Sequence, residues 1–163
     1  MKRLILGLTA LLVAPFMSVP ALAATDIQQV TSPDGIHAWL VEEHSIPFVA
    51  LELRFRGGTS LDVPGKRGAV NLMTALLEEG AGDRDAQAFT QATEELAASF
   101  SYNAGDDSMS VSAKFLTETS DQAIALLRDT LIAPRFDDVA IERVRGQVIS
   151  NLKSGEKGPD AIA

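Results

Sequence analysis

Asn71 and Thr74 are the hydrogen-bonding residues in the middle of an otherwise apolar segment that runs from Gly65 to Gly80. With Ala75 they occupy positions i, i+3 and i+4, which lie on one side of an α-helix. Asn71 could be a core amide that is satisfied locally, or it could belong to a polar pocket. Because asparagine is a poor zinc ligand, neither arrangement supplies metal chemistry.

The other polar groups fit capping or solvent-exposed roles better than catalytic ones. Two histidines have no third metal ligand near them in the sequence. Acidic residues after the apolar segment are typical of a solvated helix end followed by the caps of the next helix. Alternating serines indicate the polar face of a strand, with no histidine in a partner role. These residues are His37 and His44; Glu78, Glu79, Asp83 and Asp85; and Ser108, Ser110 and Ser112.

The elements that position these residues follow from hydrophobic periodicity. The segment Gly65–Gly80 is apolar on most sides of a helix, so we expect a buried central helix that ends at Gly80, with Met73 and Leu76 fully buried. The predicted order is β-β-β-α-α-β-β-α-α. It predicts an α+β fold, a mixed or antiparallel sheet with helices packed on one face. We expect strands at Gln28–Thr31, Ile36–Glu42, Phe48–Arg56, Ser99–Asn103 and Ser108–Phe115, and further helices at Ala86–Ala98, from Thr119 or Ser120 to Leu131, and at Asp137–Lys153.

The run from Gly57 to Gly82 resembles the insulinase/pitrilysin (inverted zincin) metallopeptidases. In that family a glycine-rich turn leads into a helix carrying H-x-x-E-H, in which the histidines bind zinc and the glutamate activates the metal-bound water. On this chain the resemblance puts Asn71 and Ala75 at the two histidine positions and Thr74 at the glutamate position. The scaffold therefore resembles the family, while the zinc chemistry is expected to be absent.

The downstream part of the resemblance points the same way. The family's third ligand lies on a helix that reads roughly E-R-G-x-x-x-x-E. Residues 144–151 fit this frame, with Val144 at the supporting glutamate position and Asn151 at the ligand position. The resemblance thus implies no cofactor in this chain, and zinc on a partner subunit.

The resemblance also implies a peptide-binding role. Tyr102, Asn103 and Ala104 stand where the family has a strand end beside its active site, and Pro134-Arg135-Phe136 before a helix fits its layout. A peptide substrate would be held by strand addition at a sheet edge. The implied function is a non-catalytic subunit paired with a zinc-bearing homologous peptidase, contributing to peptide binding and chamber closure. The alternatives are a stand-alone structural or peptide-binding module, and an active metalloendopeptidase that uses other residues.

Residues 1–23 are typical of a cleavable signal peptide, because a basic start and an apolar run end in Ala21-Leu22-Ala23. A retained anchor is the alternative, and the expected destination is the periplasm. The chain has a formal net charge of −8 and no cysteine. We therefore expect no nucleic-acid partner, no membrane association after cleavage, and stability from a hydrophobic core.

Residues 24–163 are predicted to form one domain, a metallopeptidase half-domain of the insulinase or mitochondrial processing peptidase type. The last residues, 158–163, are typical of the start of another helix. We therefore expect the sequence to be truncated at its C-terminus.

Overall fold

The computed structural model describes the backbone of residues 26–155 and the side chains of residues 26–150. The predicted signal peptide and the predicted helix start at 158–163 lie outside these residues. The chain divides into two compact units between residues 43 and 44. No helix in the described range is long and apolar enough to cross a membrane.

The first unit contains an antiparallel hairpin of β1 (Gln28–Thr31) and β2 (His37–Leu40). In its turn, the hydroxyl oxygen of Ser32 accepts a hydrogen bond from the backbone N–H of Ile36 at 3.0 Å. A ring nitrogen of His37 lies 2.9 Å from the hydroxyl of Thr31. This histidine therefore takes part in the hairpin's own hydrogen bonding.

The second unit combines strands and helices in the predicted order, with one additional small hairpin. Its elements are β3 (Phe48–Arg56), α1 (Ala69–Leu76), β4 (Gly80–Ala81), β5 (Arg84–Asp85), α2 (Ala86–Glu95), β6 (Ser99–Ala104), β7 (Ser108–Leu116), α3 (Ser120–Ile132) and α4 (Asp138–Gly155). Within the described residues, β3, β7 and β6 form an antiparallel sheet in that spatial order. The strand β6 is thus at one end of this sheet.

The core lies on one face of this sheet. Alternate residues Val111, Ala113 and Phe115 of β7 are buried there, while Lys114 points to the other face and is exposed. The buried face packs against residues from helices α1 and α3 and from the residue that follows α1, which include Met73, Leu77, Ala123 and Leu127. The α+β prediction, with helices on one face of an antiparallel sheet, is confirmed.

Helix α1 differs from the prediction at its end and on its surface. It ends at Leu76, and Gly80 belongs to β4 instead of capping the helix. Gly80 has φ 115°, and a Cβ atom there would lie 2.7 Å from the carbonyl oxygen of Arg84, so the β4–β5 hairpin needs a glycine. Leu76 is buried as expected, but Met73 is only half-buried, so the prediction of full burial is wrong for Met73.

A second apolar seam joins α1 to α4. Leu76 packs with Ala140 and Val144, and all three are at least 93 % buried. Half-buried aliphatic side chains of both helices extend this cluster: Leu72, Ile141 and Val148. The seam fixes the position of α4 relative to α1.

Helix α2 is held by conventional caps and by aromatic packing. The carboxylate of Asp85 accepts a hydrogen bond from the backbone N–H of Ala88 at 2.9 Å, as the sequence predicted. Phe89 is buried with Ala81 and Leu126, and its ring centroid lies 6.3 Å from that of Phe100 on β6. These contacts place α2 beside the outer strand of the sheet.

Candidate functional site

The open side of α1 carries Asn71 and Ala75, one turn apart and both exposed. Thr74 lies on the buried side with 4 % of its surface exposed. Its hydroxyl is 3.1 Å from the carbonyl oxygen of Val70 and 2.9 Å from that of Asn71, and donates its proton to this pair of acceptors. The hydroxyl therefore serves its own helix, and the triplet presents no acid or base to a ligand.

The start of α1 is fixed by a carboxylate. One oxygen of Asp62 accepts from the backbone N–H of Gly68 at 2.6 Å and the other from that of Val70 at 3.0 Å. These bonds satisfy donors that have no partner within the helix. Asn71 is consequently held at the rim of a polar pocket.

This N-terminal pocket has a volume of about 400 Å³ and is lined by Thr59, Ser60, Asp62, Arg67, Gly68, Asn71 and Asp106. The loop after β3 is joined to the β6–β7 turn, because the backbone N–H of Thr59 donates to the carbonyl oxygen of Gly105 at 2.9 Å. A Cβ atom on Gly58 would lie 2.0 Å from that same carbonyl oxygen, so only glycine allows this approach. Of the two roles open for Asn71, the structure supports the polar pocket, because an exposed amide is not a core amide.

Of the two α4 positions that the sequence suggested, Val144 has a described side chain. Val144 is buried in the seam with Leu76, so the supporting position is part of the core. The side chain of Asn151 lies outside the described range. Among the side chains that are described, no group of three or more His, Cys, Asp or Glu residues is placed to hold a metal ion.

The three residues that the sequence suggested for substrate binding all lie on β6, but their side chains have different environments. The Tyr102 hydroxyl lies 2.6 Å from the hydroxyl of Thr130, and burial raises the pKa of Tyr102 to about 12. Asn103 is exposed, and its amide nitrogen donates to the Ser101 hydroxyl at 3.2 Å, while Ala104 is half-buried. The side chain of Tyr102 therefore serves the core, and only its backbone remains available to a peptide.

A groove that sequence reasoning missed lies between the end of α1, helix α2, β6 and α4. We call it the Glu78 groove; its volume is about 540 Å³, and it is lined by Glu78, Glu79, Ala86, Gln87, Phe89, Thr90, Thr93, Glu94, Phe100 and Arg143. Its lining residues come from separate parts of the sequence, so no local sequence pattern predicts the groove. Helix α2 contributes Phe89, its two threonine hydroxyls and Glu94, β6 contributes Phe100, and the turn after α1 contributes Glu78 and Glu79.

The two adjacent glutamates have different environments. Glu79 forms an ion pair with Arg143, and its side chain is only 16 % exposed, so the expectation of a solvated helix end is wrong for this residue. Glu78 is exposed overall, but partial desolvation of its carboxyl, and next the negative charge of Glu79, raise the pKa of Glu78 above its usual value. Glu78 therefore places a carboxylate in the groove whose environment disfavours its charge.

Comparison with known proteins gives one family. The sequence model described as Insulinase (peptidase family M16) matches residues 38–163. A curated relative from Helicobacter pylori (strain ATCC 700392 / 26695), named "Non-peptidase homolog YmxG", is 32% identical over 158 residues. That alignment covers 96% of this chain and 36% of the relative, so the chain spans about a third of the relative's length.

Two solved structures share the fold. A crystal structure of a peptidase M16 inactive domain from Pseudomonas fluorescens has a TM-score of 0.75 and 26% identity, covering 82% of this chain and 33% of the other. A protease from Helicobacter pylori has a TM-score of 0.65 and 15% identity, covering 78% and 31%. The second similarity shows the fold alone.

Proposed function

Because the chain belongs to the insulinase family, peptidase family M16, we propose that it is a non-catalytic member that binds peptides beside a zinc-bearing homologue. The single observation that carries the proposal is the state of Thr74. At the position of the family's general base, the structure has a buried hydroxyl that is bonded to its own helix. Such a group cannot activate water.

The neighbouring positions support a loss of catalysis. Asn71 and Ala75 offer no imidazole on the open side of α1, and Val144 is fixed in an apolar seam. Two of the similar proteins carry names that fit this state, one a non-peptidase homologue and the other an inactive domain. A non-catalytic role in the family is therefore the coarse function that these findings support.

The peptide-binding part of the proposal rests on β6. Within the described residues this strand pairs with β7 alone, so its outer side offers backbone donors and acceptors beside α1. An extended peptide can add to such an edge by main-chain hydrogen bonds. Because backbone atoms make these bonds, the edge remains usable after the loss of the catalytic side chains.

The proposed peptide-binding edge would act together with a second, zinc-bearing subunit. In a pair, zinc and base on the homologue suffice to activate water, while this chain helps to enclose and align the peptide. Correct positioning of a substrate can lower the activation barrier by roughly several kcal/mol. We propose in the same way that zinc belongs to the partner and not to this chain.

The place of action is proposed from the sequence. Residues 1–23 fit a cleavable export signal, and the periplasm of a bacterium is the matching compartment. An intact mass that corresponds to a start near Ala24 in exported material would support this assignment. A mass that includes Met1 would favour the anchor.

The subunit proposal is tested with the full-length protein and a homologue that retains H-x-x-E-H. We expect the mixture to hydrolyse an unfolded peptide faster than the homologue alone, with saturation at a fixed ratio of the two chains. The control is the same peptide with N-methylated backbone amides, which cannot donate in strand addition. If the two proteins neither associate nor change turnover, the chain is a stand-alone module.

A further inference from the structure

We propose that the Glu78 groove receives a lysine or arginine side chain of a peptide that is bound along β6. The inference rests on the proposed peptide-binding function and adds to it a preference for a basic residue at one position. The groove lies beside the outer strand, because Phe100 belongs to both. A peptide on the strand and a side chain in the groove are therefore parts of one binding event.

The register of a sheet directs a side chain into this groove. Alternate residues of a strand point to opposite faces, and Phe100 shares the helix-covered face with buried Tyr102. Residues that stand opposite each other on paired strands project to the same face. The peptide residue opposite Phe100 thus points towards α2. The ring of Phe89 on this helix lies 6.3 Å from the ring of Phe100, measured between centroids.

The lining of the groove fits a long side chain with a positive end. Phe89 and Phe100 offer an apolar surface for an aliphatic stem. The hydroxyls of Thr90 and Thr93 donate to carbonyl oxygens of their own helix, which leaves their oxygens as acceptors for a cation. Glu78 and Glu94 add two carboxylates, whereas Arg143, the one cation among the described lining residues, is already paired with Glu79. The groove therefore has an excess of negative charge next to an aromatic surface, a combination that suits lysine and arginine.

Glu78 is the residue whose charge a bound cation would stabilise most directly. The environment of this carboxylate disfavours its charge, through burial and through the charge of Glu79. A cation placed in the groove would offset both effects. An acidic side chain would add a further like charge, and an aliphatic one would displace water without supplying a positive charge, so charge is the property by which the groove discriminates.

The test compares peptides that differ only in one central residue. Fluorescence polarisation measures binding of short extended peptides with uniform threonine flanks, which can slide until the central residue meets the groove. The central residue is lysine, norleucine, which keeps the aliphatic chain without the ammonium group, or glutamate. We expect the lysine peptide to bind about three- to tenfold more tightly than the norleucine peptide, with an advantage that shrinks as salt is added.

Two variants separate the groove from general electrostatics. Glu78→Gln keeps the side-chain shape and should reduce the preference for lysine over norleucine to less than about twofold. Glu95→Gln is the matched control, because Glu95 lies on α2 next to Glu94, accepts a hydrogen bond from Gln91 at 2.8 Å and does not line the groove. It should leave the preference unchanged.

The outcomes distinguish the inference from the function on which it rests. Equal binding of all three peptides would overturn the basic preference while leaving peptide binding intact. A preference that survives Glu78→Gln would place the basic residue elsewhere and overturn the groove. Absence of binding for every peptide would overturn the proposed function and the inference with it.

Discussion

At the scale of single residues, Thr74 is a hydroxyl at the position where the family resemblance expects a general base, and it is fully hydrogen-bonded there. A carboxylate at a site with 4 % exposure would need a partner for its charge. The threonine hydroxyl instead finds two acceptors within its own helix. Compared with the glutamate that the resemblance expects here, threonine thus brings neither a carboxylate acceptor nor a buried charge.

Tyr102 provides a residue-scale prediction, because it is the only tyrosine of the chain. Burial first, and in addition the charge of Glu78, raise the pKa of Tyr102 to about 12, while the bond with Thr130 acts in the opposite direction. The ultraviolet absorbance of the phenolate should therefore show an apparent pKa about 2 units above that of the unfolded chain. A midpoint near 10 in the folded protein would contradict the buried placement.

The same shift predicts how stability changes in alkali. The unfolded chain loses the phenolic proton above about pH 10 and the folded chain only near pH 12, so the folded state binds more protons in between. The free energy of unfolding should fall across this window, by less than the roughly 2.7 kcal/mol to which two pKa units correspond. Denaturant titrations check the slope, and Tyr102→Phe, which cannot ionise, is the control that should remove it.

At the scale of elements, α1 has two buried sides and one open side, and this predicts unequal mutational costs. Leu76 is buried in the seam with α4, whereas Met73 is half-buried against the sheet. Leu76→Ala should cost about 2–5 kcal/mol of unfolding free energy, and Met73→Ala less than about 2. Ala75→Ser, on the open side, is the control and should cost less than about 0.5.

Urea titrations measure these costs. A Leu76→Ala cost below that of Met73→Ala would mean that the α1–α4 seam is not the more tightly packed of the two contacts. Equal and large costs would instead restore the original expectation of a helix that is buried on most sides. The ranking therefore tests the seam directly.

The elements that the sequence predicted are those with a regular pattern. The strand β7 alternates along its length and β3 from Ala50 onward in its sequence, and Asp85 is a capping residue at the expected place. The hairpin of β4 and β5 was missed, because two-residue strands have no period and depend on the conformation of Gly80. The end of α1 was misplaced for the same reason.

The sequence predicts what the site lacks more readily than it predicts the shape of the site. The residue types at Asn71, Thr74 and Ala75 predict the loss of zinc binding, and this stays a prediction. The Glu78 groove depends on Phe100 and Arg143, which only tertiary packing brings to the end of α1. The pattern of apolar residues around α1 gave no sign of which side would stay open, since α4 covers one side and the sheet another.

At the scale of the whole molecule, the contacts that organise this part of the protein do not need a metal. One apolar core lies between the sheet and the helices, and a second joins α1 to α4 through Leu76, Ala140 and Val144. The second cluster includes the position where the family resemblance expects a supporting carboxylate. Restoring zinc ligands therefore has to be compatible with an apolar seam that already holds these helices together.

This arrangement predicts that zinc binding can be restored more easily than catalysis. Asn71 and Ala75 are both exposed and one turn apart, so Asn71→His with Ala75→His should place two imidazoles on the open side of α1. Zinc should then raise the unfolding temperature of the double variant by mass action. The single variant Asn71→His is the control, and equal zinc effects in the two would show that the side is not open as described.

Adding Thr74→Glu tests the buried position. Without metal, a carboxylate at a site with 4 % exposure should lower the unfolding free energy by about 2–4 kcal/mol. Zinc should recover part of this loss if the carboxylate reaches the open side. Peptide hydrolysis should stay at background, because Val144 is buried among aliphatic side chains and offers nothing to orient the new ligands. Zinc-dependent turnover by this triple variant would show that the apolar seam yields to the metal, and the scaffold would then be only three substitutions from catalysis.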